Sequence, residues 1–158
     1  EQILNIFKAS DIFAEVVLFD GEEYPATAIT LEDSQIAVLR TRDMKRLIKE
    51  IPEIAIEILG VMSKRLRRAQ QTVKDMGLKN TKGKTASFLV YLAKEHGIGS
   101  SNQVEINLSL TQQELANLIG SSRETISRVL SKFKEEGLIS TARQQIIIKD
   151  LAGLKQIN

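Results

Sequence analysis

The sequence predicts an α+β fold in which a region of short strands is followed by one long helix and then by a set of short helices and a hairpin. Two observations support this prediction. Residues 3–40 are rich in β-branched and apolar residues between turn formers, whereas the chain beyond residue 50 shows helical periodicity with clear start and stop signals. A chain of 158 residues, 42% of them apolar, is long enough to bury one large core or two small ones.

Four short strands are predicted in the first forty residues. Turn formers such as Asp20-Gly21 separate them. The predicted strands are ILNIF (3–7), DIFAEVVLF (11–19), ATAITL (26–31) and QIAVLR (35–40). Four strands are few for a closed sandwich or barrel, so we expect the chain to begin partway through a β domain whose first strands precede it.

A long helix is predicted after a short one at 42–50, with Pro52 in its first turn, where the missing N–H is harmless. Its apolar residues are spaced 4, 3, 4, 3, 4, 3, the a/d pattern of a two-stranded coiled coil. This seam consists of Ala55, Leu59, Met62, Leu66, Ala69, Val73 and Met76. We interpret it as the interface of a parallel homodimer; the alternative is a helix that packs only on its own domain. Four basic residues off the seam are expected to be solvated, namely Lys64, Arg65, Arg67 and Arg68.

Signals for helix ends continue beyond the seam. Gly77 is expected to close the long helix, and Asn80 to cap a further helix that stops at His96-Gly97. No metal or catalytic role is expected for His96, because it is the only histidine. Zero cysteines exclude disulfides, thiolate zinc sites and cysteine-ligated iron–sulfur clusters in this chain.

Two helix-start signals follow a predicted half-buried strand, QVEINLSL (103–110). TQQE (111–114) has the form of a capping box, and SSRE (121–124) repeats that signal after Gly120. The second helix is expected to end at Gly137. Two short helices joined by a tight glycine-containing turn are a helix-turn-helix, whose second helix enters the DNA major groove.

One face of this second helix carries polar side chains suited to reading DNA. At about 100° per residue they span about 0° to 140° of the helix, opposite an apolar face, in the order Arg123, Ser127, Glu124 and Arg128. Arginine can donate two hydrogen bonds to guanine, and glutamate can accept one from cytosine. Two local alternatives stay open: Glu124 could close its capping box, and Arg128 could pair with Glu124 one turn back.

Further positive charge follows the reading face. Lys132 and Lys134 lie along the same helix and are placed for phosphate contacts. LIS (138–140) and QIIIKD (145–150) predict a β-hairpin, hence a winged helix-turn-helix with Arg143 at the wing tip as another phosphate contact. A short helix is expected in the C-terminal tail.

Charge is unevenly distributed along the chain. Residues 1–78 carry 11 Lys and Arg against 13 Asp and Glu, a net charge of −2, whereas residues 79–158 carry 11 against 7, a net charge of +4. The basic half contains the helix-turn-helix, as a DNA-binding surface requires. We expect a cytoplasmic protein, because no membrane-length apolar run or leader is visible. We expect no enzyme and no catalytic residues, because no nucleophile–base pair or phosphate-cradling glycine loop is visible.

The order of these parts resembles the cyclic-AMP receptor protein and fumarate–nitrate regulator (CRP/FNR) family of bacterial transcription factors. The resemblance covers essentially the whole chain, most specifically LTQQELANLIGSSRETISRVLSKFKEEGLIS (110–140) and less so DIFAEVVLFDGEEYPATAITLEDS (11–34). It implies a partial cyclic-nucleotide-binding-like β-roll (double-stranded jelly roll) sensor domain at 1–50, a dimerisation helix at 51–78 and a winged helix-turn-helix DNA-binding domain at 79–158. It further implies a homodimer on a pseudo-palindromic operator, with RNA polymerase as a partner of an activator.

The resemblance also implies roles for individual residues. Arg123, Glu124 and Arg128 match the base-reading positions of the S-R-E-T-x-x-R pattern, and Ser127 matches a position used for readout in some members. The expected contacts to the DNA backbone, the first two of them implied by the resemblance, are Thr111, Gln112, Ser122, Lys132, Lys134 and Arg143.

The first part of the chain departs from the cyclic-nucleotide pattern. Nucleotide-binding members usually read Gly-Glu and then Arg-Ser-Ala, whereas here Ala14 replaces the glycine and Tyr24-Pro25 replace the Arg-Ser that would hold the phosphate. Cyclic AMP is therefore not expected as the effector, and no metal is expected. Glu15, Tyr24 and Gln70 are candidates for a pocket for another small ligand. Heme or iron–sulfur ligands upstream of this sequence stay open.

The predicted function is that of a sequence-specific, homodimeric transcription regulator whose DNA affinity is controlled by a small effector in the β domain. In this mechanism the effector would shift the population of two arrangements of the long helices. The alternative is a constitutive or architectural DNA-binding protein whose β region is a scaffold that senses nothing.

Overall fold

The computed structural model describes residues 3–99, 103–142 and 145–157. The chain forms two compact units, one made of Glu1–Lys8 with Gln71–Asn158 and the other of Ala9–Gln70. The boundary at residue 70 falls inside the long helix, whose two parts therefore belong to different units. The domain division at residues 50 and 78 stays a prediction.

The unit formed by Ala9–Gln70 is helical where it has regular structure. A 3-10 helix (Glu15–Leu18) packs against α1 (Thr41–Glu50), and the first part of α2 (Glu53–Leu78) completes the unit. Both predicted helices are confirmed. Their ends differ slightly from prediction: Pro52 directly precedes α2, and Gly77 lies inside it just before the last residue, a shift within the usual fraying of helix ends.

The four strands predicted for the first forty residues are wrong as hydrogen-bonded strands. Within described residues 3–40 the structure has no strand at 3–7, 11–19, 26–31 or 35–40, and residues 27–40 are exposed throughout. Strand propensity reports how well a side chain fits a pleated, half-buried surface, and a strand also needs a hydrogen-bonded neighbour. These segments have the residue types of strands without such a neighbour in the described chain.

The other unit carries four further helices, each close to its predicted position. Asn80 caps the first of them, since its side chain accepts a hydrogen bond from the backbone N–H of Gly83 at 2.9 Å. The helices are α3 (Thr81–His96), α4 (Gln112–Ile119), α5 (Arg123–Glu135) and α6 (Leu151–Lys155). The last of them confirms the predicted helix in the C-terminal tail.

A four-stranded antiparallel sheet completes this unit and confirms the α+β class. Its strands are β1 (Gly97–Gly99), β2 (Val104–Ile106), β3 (Ile139–Ala142) and β4 (Gln145–Ile148), in the spatial order β1-β2-β4-β3. The hairpin β3–β4 is the predicted wing, with Ile139 opposite Ile148. The strand predicted over 103–110 forms only at its start, as β2. Arg143, at the predicted wing tip, lies outside the described residues.

One apolar core joins the helices and the sheet of this unit. Its largest fully buried apolar side chains are Phe133, Leu89, Leu92, Ile106, Leu115, Ile126, Ile148 and Leu154. Lys82 of α3 forms an ion pair at the edge of this core, because its ammonium donates a hydrogen bond to the carboxylate of Glu136, just after α5, at 2.8 Å. The same ammonium lies 5.7 Å from the ring centre of Phe133. The core thus fixes one face of α5 and leaves the opposite face exposed.

No helix in the described ranges is long and apolar enough to cross a bilayer.

Candidate nucleic-acid interface

The first helix of the predicted helix-turn-helix begins with the expected capping box. The hydroxyl of Thr111 accepts a hydrogen bond from the backbone N–H of Glu114 at 3.2 Å, and the Glu114 carboxylate accepts one from the backbone N–H of Thr111 at 2.7 Å. The Thr111 hydroxyl also donates to that carboxylate at 2.7 Å. This end of α4 is therefore held rigidly, with Gln112 exposed in its first turn.

The turn between the two helices depends on Gly120. Its φ of +72° lies in the left-handed region, where glycine has no Cβ penalty. The backbone N–H groups of Gly120 and Ser121 both donate to the carbonyl of Ala116, at 2.9 and 3.0 Å. This bond pattern ends α4 within one turn and redirects the chain into α5.

The start of α5 differs by one residue from the predicted capping box. Ser122, not Ser121, is the capping residue, and its hydroxyl accepts a hydrogen bond from the backbone N–H of Thr125 at 3.2 Å. Glu124 is therefore the second helical residue and closes no box. The prediction of a repeated S/T-x-x-E box is wrong in register, because two adjacent serines offer two possible caps.

The four predicted base-reading side chains lie on the first two turns of α5. Arg123, Glu124 and Arg128 are exposed and Ser127 is half-buried, while Ile126, on the opposite face, is fully buried. The described residues contain no ion pair between Arg128 and Glu124; the Arg128 guanidinium makes only long contacts to the Glu124 carbonyl (3.5 Å) and the Thr125 hydroxyl (3.4 Å). Both local alternatives for these side chains are thus absent.

An open groove, called the groove below, runs between the start of α4, the exposed side of α5 and the wing. Buried apolar side chains form its floor, namely Leu110, Leu115, Leu130 and Ile146. Its rim is polar and consists of Thr111, Gln112, Gln113, Arg123, Ser127, Ser131, Lys134, Thr141 and Gln145. The described lining contains two cations and no carboxylate, so the groove suits an anionic ligand.

The groove brings together some predicted DNA-contacting residues and not others. Thr111, Gln112, Arg123, Ser127 and Lys134 line it. The remaining predicted residues that the structure describes lie on α5 or at its start but outside this lining, and they are Ser122, Glu124, Arg128 and Lys132.

Sequence reasoning missed four rim residues. Ser131 had a usable signal, because it follows Ser127 by four positions and so shares its helix face. Thr141 and Gln145 depend on the wing register, which pairs Thr141 with Ile146 and Ala142 with Gln145. Gln113 carries no sequence signal beyond its place in the first turn of α4.

The predicted dimer seam is solvent-exposed at its central leucines and its valine. Leu59, Leu66 and Val73 are 58%, 61% and 69% exposed, although each is apolar. Ala69 is exposed as well, and Ala55 and Met62 are half-buried. The side chain of Met76 lies outside the described part. Within the described residues, the seam is therefore mostly uncovered at Leu59, Leu66, Ala69 and Val73 and partly covered at Ala55 and Met62.

One of the three effector candidates, Glu15, is buried. Its carboxylate accepts a hydrogen bond from the guanidinium of Arg65, which also donates to the carbonyl of Ile12. The expectation that Arg65 is solvated is therefore wrong, since its side chain is only 31% exposed. Arg68 is half-buried as well, whereas Lys64 and Arg67 are exposed as expected. Of the other candidates, Tyr24 is half-buried and Gln70 is exposed.

The backbone of Ala14, the residue before Glu15, has a conformation that favours glycine. Ala14 has a φ of +62°, in the left-handed region that favours glycine. It stands where the family pattern has glycine.

Among the described residues, no group of three or more His, Cys, Asp or Glu could hold a metal ion.

Two family models match the chain in sequence. The model described as "Crp-like helix-turn-helix domain" matches residues 83–157, and the model described as "Cyclic nucleotide-binding domain" matches residues 1–51. The first contains α4, α5 and the wing. The second covers the region in which the structure shows the 3-10 helix and α1.

Curated relatives are bacterial transcription regulators. The chain is 30% identical over 150 residues to the "CRP-like cAMP-activated global transcriptional regulator" of Mycobacterium tuberculosis, a match that covers 95% of this chain and 67% of that protein. It is 31% identical over 138 residues to the "Anaerobic regulatory protein" of Bacillus subtilis, covering 87% of this chain and 58% of the relative.

Solved structures agree with these relatives. A CooA variant from Carboxydothermus hydrogenoformans superposes with a TM-score of 0.66 at 26% identity, covering 73% of this chain and 53% of that one. A CRP/FNR-family transcriptional regulator from Thermus thermophilus gives a TM-score of 0.58 at 28% identity, covering 66% and 54%. The chain thus spans between about half and two thirds of the length of these relatives. With this sequence match and the winged helix-turn-helix described above, the chain belongs to the CRP/FNR family of transcription regulators.

Proposed function

We propose that this chain regulates transcription as a homodimer that binds a specific, pseudo-palindromic DNA site and responds to a small effector. One observation carries the DNA-binding part. Arg123 and Lys134 line the groove beside Ser127, and neither cation has an ion-pair partner among the described residues. Unpaired cations on a rigid helix face attract the phosphate-rich surface of DNA.

The residue types on α5 support sequence-specific rather than general binding. In the proposed complex, Arg123 and Arg128 donate paired hydrogen bonds to guanine, Glu124 accepts from a cytosine amine, and Ser127 contacts a base or a phosphate. Capping by Ser122 leaves these side chains on the first two turns, which is the end that enters the major groove. Contacts to the DNA backbone would fix the register of α5 on the duplex. The residues proposed for these contacts are Thr111, Gln112, Ser122, Lys132, Lys134 and Arg143.

Dimerisation is supported by the exposed seam. Water contact with Leu59, Leu66 and Val73 is unfavourable by about 25 cal/mol per Å² of apolar surface, and a second copy of α2 would cover them. The 4-3 spacing of the seam is that of a two-stranded coiled coil. A two-fold dimer presents two α5 helices, so its operator has two similar half-sites.

Effector control is supported by the match of residues 1–51 to the cyclic nucleotide-binding domain. The Mycobacterium relative is named as cAMP-activated. Cyclic AMP is not the effector proposed for this chain, because Tyr24-Pro25 stand where the phosphate-binding Arg-Ser would be. Glu15, Tyr24 and Gln70 remain the proposed pocket residues. A regulator of this kind acts in the cytoplasm and, as an activator, contacts RNA polymerase.

Selection of binding sites from a randomised duplex library tests this function. The protein is incubated with the library alone and with the small-molecule fraction of a cell extract, and bound DNA is sequenced. We expect a two-fold symmetric site that is enriched more strongly with the extract. Equal enrichment under both conditions would contradict effector control, and absence of any enriched site would contradict sequence-specific binding.

A further inference from the structure

The groove continues past the base-reading turns of α5 to the place where this helix meets the wing. Four polar residues line that part: Ser131 and Lys134 from the second half of α5, and Thr141 and Gln145 from the wing. We call this set the junction. Of its members, only Lys134 was predicted to contact DNA.

Helix geometry places the junction in line with the reading end of α5. Ser131 and Lys134 follow Ser127 by four and seven residues, so all three lie with Arg123 on one stripe about 80° wide. On the wing, Thr141 and Gln145 belong to the last two pairs of the β3–β4 ladder, Thr141 opposite Ile146 and Gln145 opposite Ala142. The junction is thus a continuation of the same surface.

The chemistry of the junction matches a phosphate group. Lys134 supplies a cation, the Ser131 and Thr141 hydroxyls can each donate one hydrogen bond, and the Gln145 amide can donate two. All four residues are exposed, and no described carboxylate lines the groove to compete for the lysine. The hydroxyls of Ser131 and Thr141 lack the two-point geometry with which arginine reads guanine and glutamine reads adenine.

The path from α5 into the wing is fixed by the backbone. Gly137 has a φ of +72°, and the N–H of Leu138 donates to the carbonyl of Phe133 at 2.9 Å. This hydrogen-bonded helix end sets the direction of β3. The apolar floor, which includes buried Leu130 and Ile146, holds both sides of the junction against one core. The junction therefore keeps a constant distance from the reading end.

We propose that the junction binds one phosphate of the DNA backbone beside the major groove, and so sets the register of α5 without reading sequence. This inference rests on the DNA-binding function proposed above. It names Ser131, Thr141 and Gln145 as backbone contacts in addition to Lys134.

The test compares full-chain Lys134→Gln with a matched control, Lys155→Gln, which removes an exposed lysine of α6 outside the groove. Binding to a duplex with the selected site and to an unrelated duplex is measured across a salt series. For Lys134→Gln we expect the same fold-loss on both duplexes and a salt slope lower in magnitude by about 0.9, the value for one phosphate contact. Lys155→Gln should leave both unchanged.

A second variant separates hydrogen bonding from charge. Ser131→Ala with Thr141→Val removes both hydroxyls and keeps Lys134. We expect several-fold weaker binding to both duplexes with an unchanged salt slope. Circular dichroism spectra like those of the parent chain establish that both variants fold.

The outcomes also distinguish this inference from the proposed function. If the parent chain selects a site but Lys134→Gln behaves like Lys155→Gln, or loses affinity for the selected site alone, the phosphate site is wrong and the DNA-binding function stands. If the parent chain binds neither duplex, both are wrong.

Discussion

The buried carboxylate of Glu15 is paired with the guanidinium of Arg65, 50 positions further along the chain. The Glu15 side chain is 2% exposed, and the same guanidinium also binds the carbonyl of Ile12. One side chain of α2 thereby fixes both ends of the segment that enters the 3-10 helix. The second carboxylate oxygen of Glu15 is buried without a hydrogen-bond partner in the described chain.

Removing Arg65 alone should destabilise the protein more than removing both members of this pair. Arg65→Met would leave the Glu15 carboxylate buried and unpaired, so we expect a loss of about 3 kcal/mol in the free energy of unfolding. The double variant Arg65→Met with Glu15→Leu should recover most of that loss, because no charge stays buried. Urea unfolding followed by circular dichroism measures both. Equal stabilities of the single and double variants would contradict the pair's importance.

Ala14→Gly should stabilise the protein. Ala14 has a φ of +62°, and a left-handed conformation costs a non-glycine residue about 1–2 kcal/mol. The greater freedom of glycine in the unfolded chain offsets part of that gain, so we expect a net increase of up to about 1 kcal/mol. Ala55→Gly, inside α2, provides the control and should destabilise by a similar amount. Thermal unfolding shows whether each change stabilises or destabilises the protein. Destabilisation by Ala14→Gly as well as by Ala55→Gly would contradict strain at Ala14.

Ser122→Ala and Ser121→Ala distinguish the two possible caps of α5. The hydroxyl of Ser122 accepts the bond from the backbone N–H of Thr125, so its loss should cost about 1 kcal/mol. Ser121→Ala should cost much less, because Ser121 is not the capping residue. Denaturant unfolding of the two variants measures the difference. A larger effect at Ser121 would restore the capping box with Glu124.

Leu66→Lys should break the proposed dimer. Leu66 is central in the seam and 61% exposed in the single chain, so the variant should fold while two lysines face each other across the interface. Gln71→Lys, on the outer side of α2, is the control and should stay dimeric. Sedimentation at micromolar concentration reports the oligomeric state. A dimeric Leu66→Lys variant would place the interface elsewhere.

Arg123→Ala should reduce both affinity and specificity for DNA. Because Arg123 is exposed and has no ion-pair partner among the described residues, its removal should not unfold α5. We expect a loss of about 1–3 kcal/mol in binding free energy on the selected site and relaxed preference at one base pair. Repeating the library selection with the variant measures this change. An equal loss on every sequence would instead identify Arg123 as a backbone contact.

Helix positions could be predicted because their signals are local. Asn80, Thr111 and Gly120 act within one turn of themselves, so the sequence alone indicates where α3 and α4 begin and where α4 ends. The start of α5 was displaced by one residue because Ser121 and Ser122 are equally good caps locally. The packing of Ile126 and Leu130 into the core favours the later start.

Features that depend on distant residues could not be predicted. The ion pair between Glu15 and Arg65 joins residues far apart in sequence, and neither residue type signals burial. The strands expected before residue 40 illustrate the same limit, because their side chains fit a sheet but pairing requires a partner. The wing could be predicted because its two strands are neighbours in sequence, so that β3 supplies the partner of β4.

Leu130 and Ile146 belong both to the apolar core and to the floor of the groove. A substitution at either position would alter the packing of the domain together with the shape of its ligand surface, so selection acts on both at once. Rim positions such as Ser127 and Ser131 carry no such double constraint. Within this architecture, divergence of one regulator's target sites from another's should therefore proceed through exposed rim residues while the floor beneath them stays unchanged.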